Sequence, residues 1–585
     1  MAATSDSAIM QYVQEVVPEG LEYKMGRENR VFVRVKPDDV DKLAERFTKK
    51  LGVRLSHASG VDLQQFGFDI IYAYDFTKYK ERLQIVLEAN LPRENPTINS
   101  VGKVTWQAVW AEREMKEFLG INFIGMPDPR HQFLPYEWPK NPETGISPAQ
   151  NSTTYPVEAK PGEKWLPVGI SPKDAISALV PIGPYHPGVI EGQTVYVKVE
   201  GEHVIDADIK TGYHHRGIQR LIERRGYNKG VFVAERVCGI CSAHHGIAFV
   251  TAAENLYDAE VPERALYIRT LLAELNRVHS HILWIGVAAD LIGWKTGFML
   301  TWGLRERVMD IIEAITGNRV NYGIWRLGGV SRDVKQELAE SSKRTLLALK
   351  EDLAKLLPPV ADHPILKSRC IGVGTLDLAT CFETGVVGPV ARASNWKIDV
   401  RMDNPPHAIY DPKKISWEVI TDDHRDMYGR VLVRVKELFV SMDIVVQCLD
   451  YLAKTTGEIR AKPRTIEPGT EGIGLDEAPR GELFYYMRAG GTELPEYMMP
   501  EGKHNVQGSN QPQCVRIRTP SYRNNAALPF MLKDCALADV PIIMGSIDQC
   551  QACTDRVEVI DAKTESSYSL SWDELVRMSQ RKGRA

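Results

Sequence analysis

Two short segments of this chain carry enough soft donor atoms to grip a metal: Cys238-Gly-Ile-Cys241 and Cys550-Gln-Ala-Cys553. Cysteines three positions apart can turn both sulfurs toward one side of an ion, and two such pairs together make a tetrathiolate shell. The pairs stand more than 300 residues apart, so only folding can bring them together. Four thiolates suit zinc, nickel, copper(I) or an iron–sulfur cluster, and the spacing itself does not choose among them. A thioredoxin-like redox pair wants a βαβ context, which the residues around Cys238 lack, and a zinc ribbon places its second pair about 15–20 residues on. The remaining cysteines, Cys370, Cys381, Cys448, Cys514 and Cys535, stand singly and read as inert buried residues. Three further positions have bland readings by themselves: Glu191 as a solvated strand residue, Arg480 as a turn arginine, His245 as a buried imidazole.

Composition bounds the scaffold around these residues. The chain has 585 residues, 43% hydrophobic and 25% charged, as a globular protein of two to four domains with a sizeable core should have. A formal charge of −4 shows no basic excess and argues against nucleic-acid binding. Nine cysteines are too sparse for a disulfide scaffold. No signal-peptide pattern opens the chain, and no uncharged run reaches the ~18 apolar residues of a membrane span. A reducing, cytoplasmic address is therefore expected, where Cys-x-x-Cys means metal or redox chemistry.

The patterning predicts an α+β protein: a small N-terminal α/β module, a linker, then a mainly helical bundle with a small antiparallel sheet. Residues 1–138 form the first module. Arg30–Val35, Phe68–Tyr74 and Leu83–Leu87 alternate as strands do, Asp38-Asp39 can cap a helix running through Leu43, Phe47 and Leu51, and Trp106–Phe118 has helical spacing. Residues 139–176 are rich in Pro, Gly, Ser and Thr and read as a linker. Residues 177–556 form the large domain. Gly183-Pro-Tyr-His-Pro-Gly188 is a turn cluster, and Thr194–Glu200 and Asp206–Lys210 pair across Gly201. Pro262–Ile285, Val308–Ile315, Val334–Leu357 (ended by Pro358-Pro359) and Arg430–Thr455 are amphipathic helices. Such helices make a bundle with its site between them. Residues 557–585 are a tail in which Ser571-Trp-Asp-Glu574 reads as a capping box.

The residues flanking the cysteines carry a resemblance. Arg236-Val-Cys-Gly-Ile-Cys241, His245 four residues later and the second pair near the C-terminus resemble the large subunit of NiFe hydrogenases, over nearly all of residues 180–556. Gly183-Pro-Tyr-His-Pro187, Gly212-Tyr-His-His-Arg-Gly217 and Leu221-Ile-Glu223 also resemble the quinone-site subunit of respiratory complex I, which lacks the cysteines. Ala111–Arg130, closing on Leu134-Pro-Tyr-Glu-Trp138, resembles that complex's small hydrophilic subunit, although Met126 stands where His is common. The combination resembles the energy-converting, membrane-associated NiFe hydrogenases, the formate hydrogenlyase type among them.

That resemblance implies a cofactor of Ni and Fe, the iron carrying CO and cyanide. Cys238 and Cys550 would be terminal nickel ligands, and Cys241 and Cys553 bridges to iron. Glu191, in Val189-Ile-Glu-Gly-Gln193, would take the proton from a terminal cysteine; Arg480, in Ala478-Pro-Arg-Gly481, would hydrogen-bond cyanide; His245 would stand beside a bridging thiolate. The implied reaction is reversible reduction of protons to H2. Electrons would come from a hydrogenase small subunit with a 4Fe-4S cluster and from further iron–sulfur subunits. Complex-I-like membrane subunits would hold the assembly peripherally on the cytoplasmic face of the inner membrane. A maturation endopeptidase would remove the tail after Arg556. Gln219 and Arg556 replace the Glu and His that bind an extra metal in many relatives, so that site is expected to be absent; Gln549 replaces the usual Pro before Cys550. The competing reading is a non-catalytic quinone-site subunit of a complex-I-like assembly, with His186 and His214 or His215 near quinone and zinc or nothing on the cysteines.

Overall fold

The computed structural model describes residues 2–63, 66–134, 178–186, 191–257, 260–462, 465–490 and 511–555. The 139–176 linker, Arg556 and the 557–585 tail lie outside them.

The N-terminal region is built on a five-stranded sheet, β1 (Tyr23–Met25), β2 (Arg30–Arg34), β3 (Arg54–Asp62), β4 (Phe68–Asp75) and β5 (Gln84–Leu91), in the order β1-β2-β5-β4-β3. Only β2 and β5 run parallel. Helices α1 (Ala2–Val16), α2 (Val40–Glu45) and α3 (Val109–Leu119) accompany it. Asp39 does precede α2, but its side chain pairs with Lys42 at 2.6 Å instead of capping, and the chain continues through Phe47 as a single π-type turn. Three elements escape the sequence patterning. The strand β1 is only three residues long, α1 mixes its apolar residues with polar ones, and β3 (Arg-Leu-Ser-His-Ala-Ser-Gly-Val-Asp) hides its burial behind polar residues.

In the large region, β6 (Ala178–Ile182), β7 (Thr194–Glu200) and β8 (His203–Lys210) form an antiparallel sheet, β6 being an addition to the expected hairpin. Then come α4 (Ile218–Ala234), α5 (Ser242–Glu254), α6 (Glu263–Leu291), α7 (Lys295–Thr316), α8 (Gln336–Ala361) and α9 (Met427–Lys454). α8 does not stop before Pro358-Pro359 but runs one turn further, ending where Asp362 N–H donates to Pro358 O. A proline lacks its own donor yet keeps its carbonyl, so the last turn tolerates it. α6 is buried on nearly every face, and its charged residues find partners: Arg269 grips Glu254 with two bonds of 2.9 and 2.6 Å, and His281 meets Glu437 at 3.0 Å. A helix buried all round is a core helix.

A third sheet, β9 (Glu471–Ala478), β10 (Gly481–Ala489) and β11 (Pro512–Arg518), is antiparallel. One face meets the N-terminal sheet: Phe32, Ile71 and Val86 share a core with Ile473, Leu475, Phe484 and Tyr486, and His57 stacks on Phe484 with centroids 4.6 Å apart. Buried pairs rim this seam, Arg54 with Asp75 (2.8 Å) and Glu482, and Arg488 with Asp69 (2.7 Å). The other face meets α5. Gly472 and Gly474 make that approach possible, because a Cβ on either would collide with the backbone oxygen of Ala252 or Ala248.

Candidate metal centre

Each cysteine pair sits where a helix begins. α4 runs into a 3₁₀ turn, Glu235–Val237; Cys238 is then extended and Cys241 occupies the N-cap of α5. Cys550 likewise caps the single turn α10 (Gln551–Thr554). Free N–H groups at such ends favour a thiolate, and Ile240 N and Cys241 N both donate to Cys238 Sγ at 3.3 Å.

Folding joins the pairs. Cys550 Sγ lies 3.5 Å from Cys238 Sγ, and Cys241 Sγ lies 3.8 Å from Cys553 Sγ. All four side chains are buried. The sulfurs of Cys238, Cys550 and Cys553 lie within 4.8 Å of one another, as do those of Cys241 and Cys553 with a His245 nitrogen. Arg216 clamps the two loops from outside: its guanidinium donates to the carbonyls of Arg236 and Val237, just before Cys238, and of Ala552, each at 2.8 Å. Thr519 Oγ1 fastens Cys553 O at 3.1 Å, and Ser521 Oγ accepts Cys550 N–H at 3.0 Å.

Around the sulfurs stand the other expected residues. Glu191 Oε1 lies 3.8 Å from Cys550 Sγ, while Oε2 accepts the Ala552 N–H at 2.9 Å. His245 Nε2 lies 3.6 Å from Cys553 Sγ, and its Nδ1 lies 2.8 Å from Tyr485 Oη. Arg480 pairs through Nη2 with Asp548 Oδ1 at 2.8 Å and through Nε with Asp548 O. Neighbouring His244 holds Asp476 at 2.7 Å. Other expectations do not converge here. His215 stacks on Phe118, with burial pushing its imidazole down to about 4. Gln219 is buried in α4.

Comparison with known proteins decides the lineage. The family model for the respiratory-chain NADH dehydrogenase 30 Kd subunit matches residues 33–148, that for the 49 Kd subunit residues 291–556, and that for nickel-dependent hydrogenases residues 216–286. Formate hydrogenlyase subunit 5 of Escherichia coli is 30% identical over 562 residues, 96% of this chain and 95% of that protein. The chain belongs to the large subunits of the energy-converting hydrogenases, with a fused 30-kDa-type module.

This oxidoreductase family is shared widely. The membrane-bound hydrogenase subunit alpha of Pyrococcus furiosus is 36% identical over 417 residues, 68% of this chain and 92% of that one. A chain in the structure of the membrane-bound sulfane sulfur reductase, an archaeal respiratory membrane complex, aligns at TM-score 0.59 and 28% identity, covering 66% of this chain and all of that one.

The hydrogenase large subunit's donor set fits a nickel–iron group. The Cys238 thiol is pulled well down by hydrogen bonds from Cys241 and Cys550, while Cys241 and Cys550, giving those bonds, are pushed up, and burial raises Cys553. Thiolates buried this close together repel one another, and a bound cation offsets that repulsion. Nη1 of Arg480 and Oδ2 of Asp548 are buried without a protein partner, polar atoms of the kind a buried ligand satisfies.

Sequence reasoning missed Arg216, Tyr485 and Asp548. Asp548 is an acid two residues before Cys550, a signal available in the sequence; Tyr485 is indistinguishable from any strand aromatic until β10 is seen beside α5.

Proposed function

We propose that this chain is the catalytic subunit of a multi-subunit NiFe hydrogenase that reversibly reduces protons to H2. The single observation that carries the reading is the convergence of four buried sulfurs with a carboxylate 3.8 Å from one of them; a structural zinc needs no such acid. All four thiolates, of Cys238, Cys241, Cys550 and Cys553, would hold a nickel–iron group whose iron carries CO and cyanide. When bound, the group supplies a soft, electron-rich centre for splitting or forming the H–H bond.

The chain's own residues do the rest. Glu191, anchored by Ala552 N–H, takes the proton at Oε1 from the sulfur of Cys550 and returns it in the reverse direction. Arg480, held on two sides by Asp548, keeps Nη1 for an anionic ligand such as cyanide. His245 donates from Nε2 to Cys553 Sγ, a tautomer fixed by the Tyr485 hydroxyl donating to Nδ1. All four paired cysteines are used in this way, so electrons arrive from a small subunit with a 4Fe-4S cluster and further iron–sulfur subunits.

No helix among the described residues is long and apolar enough to cross a membrane. We place the chain peripherally on the cytoplasmic face of the inner membrane, held by complex-I-like membrane subunits in a formate hydrogenlyase-like complex, with the tail after Arg556 removed by an endopeptidase. The domain division at 1–138, 139–176 and 177–556 is part of the same proposal.

A second reading is favoured by the 49 Kd match over residues 291–556 and by an NADH-quinone oxidoreductase subunit of Phocaeicola vulgatus, 28% identical over 513 residues: a quinone-site subunit without catalysis at the cysteines. Metal analysis with infrared spectroscopy separates the two. Nickel with iron, and bands from CO and cyanide, are expected; zinc alone, or H2 evolution surviving Cys550→Ala, would sink the hydrogenase reading.

A further inference from the structure

Glu191 is fixed by more than its contact with Ala552. The next residue, Gly192, donates its backbone N–H to Nε2 of His214 at 2.9 Å. The backbone N–H of His214 itself donates to Oδ2 of Asp555 at 2.9 Å. The half-buried His214 imidazole thus ties the peptide beside Glu191 to the turn at 212–217, and the His214 backbone N–H ties that turn to the segment just after Cys553. The same turn is pinned to β7 through Tyr213 Oη and Thr194 Oγ1, 2.6 Å apart. Glycine at 192 suits the approach: a Cβ there would stand 3.2 Å from Tyr213 Cβ and 3.4 Å from His214 Nε2.

We propose that His214 is the positioning residue for Glu191, its Nε2 lone pair holding the Glu191–Gly192 peptide so that the carboxylate reaches Cys550 Sγ. This rests on the reading of Glu191 as proton acceptor. The chemistry required is narrow. Nε2 must be an acceptor, so the ring proton sits on Nδ1. A glutamine amide oxygen can take the place of Nε2, whereas leucine fills the volume and accepts nothing. Asparagine is polar but too short to reach Gly192 N.

The test uses the assembled, metal-loaded complex carrying His214→Leu, His214→Asn or His214→Gln, with three readouts: nickel and iron content, D2/H+ isotope exchange without an electron partner, and hydrogen exchange at the Gly192 amide by mass spectrometry. With metal content kept, H214L and H214N are expected to free the Gly192 amide about five- to tenfold, as loss of one hydrogen bond of about 1 kcal/mol allows. Isotope exchange should fall by roughly tenfold or more, within the range general acid–base groups supply. H214Q should restore both. A Gly192 amide as protected in H214L and H214N as in the native chain overturns the proposal, and so does H214Q impaired as badly as H214L. If H214L loses its metal, H214N and H214Q decide. A native complex with no isotope exchange refutes the hydrogenase reading instead, and the Gly192 amide still decides the role of His214.

Discussion

Arg480 and Asp548 are 68 residues apart in sequence and locked face to face in the structure, Nη2 to Oδ1 at 2.8 Å with Nε on the Asp548 carbonyl. Asp548 adopts φ 54°, a left-handed conformation that Asp tolerates better than most residues. The hairpin turn carrying Arg480 is thereby bolted to the loop carrying Cys550. A guanidinium fork can serve both partners at once, whereas an ammonium cannot. Arg480→Lys is therefore expected to keep nickel and iron yet lower H2 evolution by roughly 10²–10³-fold, the size found when one fixed donor at a reacting centre is removed. It should also shift the cyanide infrared bands. Unshifted bands with near-native turnover would show that Nη1 does not face the ligand.

Glu191 offers a sharper separation of roles. Its Oε2 is committed to Ala552 N–H and only Oε1 faces Cys550. Glu191→Gln keeps an oxygen for Ala552 but cannot take a proton. We expect it to hold the metals and lose isotope exchange by about 10²–10⁴-fold, with Glu191→Asp falling between. Exchange at the native rate in the Gln variant would remove Glu191 from the proton route.

Arg216 holds the carbonyls of Arg236, Val237 and Ala552, and so bridges the two loops whose cysteines must meet. Four charge-assisted bonds to backbone, these three and one from Nε to the His214 carbonyl at 3.3 Å, are lost in Arg216→Ala. The expected consequence is loss of metal retention, read as nickel released faster to a chelator, with the helical content unchanged. Arg216→Lys, a point charge on the same stem, should recover part of it. A variant with native nickel retention would show that the sulfurs alone hold the loops together.

The cysteine pairs were readable because metal chemistry restricts residue type and local spacing together, and the long helices because burial imposes a 3.6-residue period. Glu191, Arg480 and His245 each had an ordinary reading by itself; only similarity to the hydrogenases singled them out, and the geometry now sets all three around the sulfurs. Arg216 was illegible for a different reason. It binds backbone carbonyls, which every residue has, so no partner type marks it in the sequence. The seam between the N-terminal sheet and β9–β11 was equally hidden. It is written in single polar residues, Arg54, Asp69, Glu482 and Arg488, whose partners lie some 400 residues away and leave no periodic trace.

Buried acids at that seam and in the core behind it should give the chain a particular pH dependence. Burial, with Asp399 nearby, pushes Glu477 up to about 7, and burial pushes Asp403 up to about 6. Against the pull of burial, Arg277 and Arg401 hold Glu274 down to about 2, and Arg54 and Arg518 do the same for Glu482. An acid raised in the folded state binds its proton more tightly there than in the unfolded chain. Its contribution is complete below the unfolded value near ~4 and is lost as pH climbs through 6 to 7. The depressed pair behaves oppositely: its contribution is complete above that unfolded value and is lost as pH falls toward 2. Stability from these groups should therefore peak near the unfolded value, at about pH 4 to 4.5, and decline as pH rises toward 7 or falls toward 2. Glu477→Gln removes one proton-binding site that the fold prefers filled, so in denaturant melts it should flatten the decline between about pH 4.5 and 7 while leaving the acid side unchanged. An alkaline limb equally steep in the variant and the native chain would mean that Glu477 is ionised in the fold, with Arg392, 2.8 Å from its Oε1, supplying the compensation.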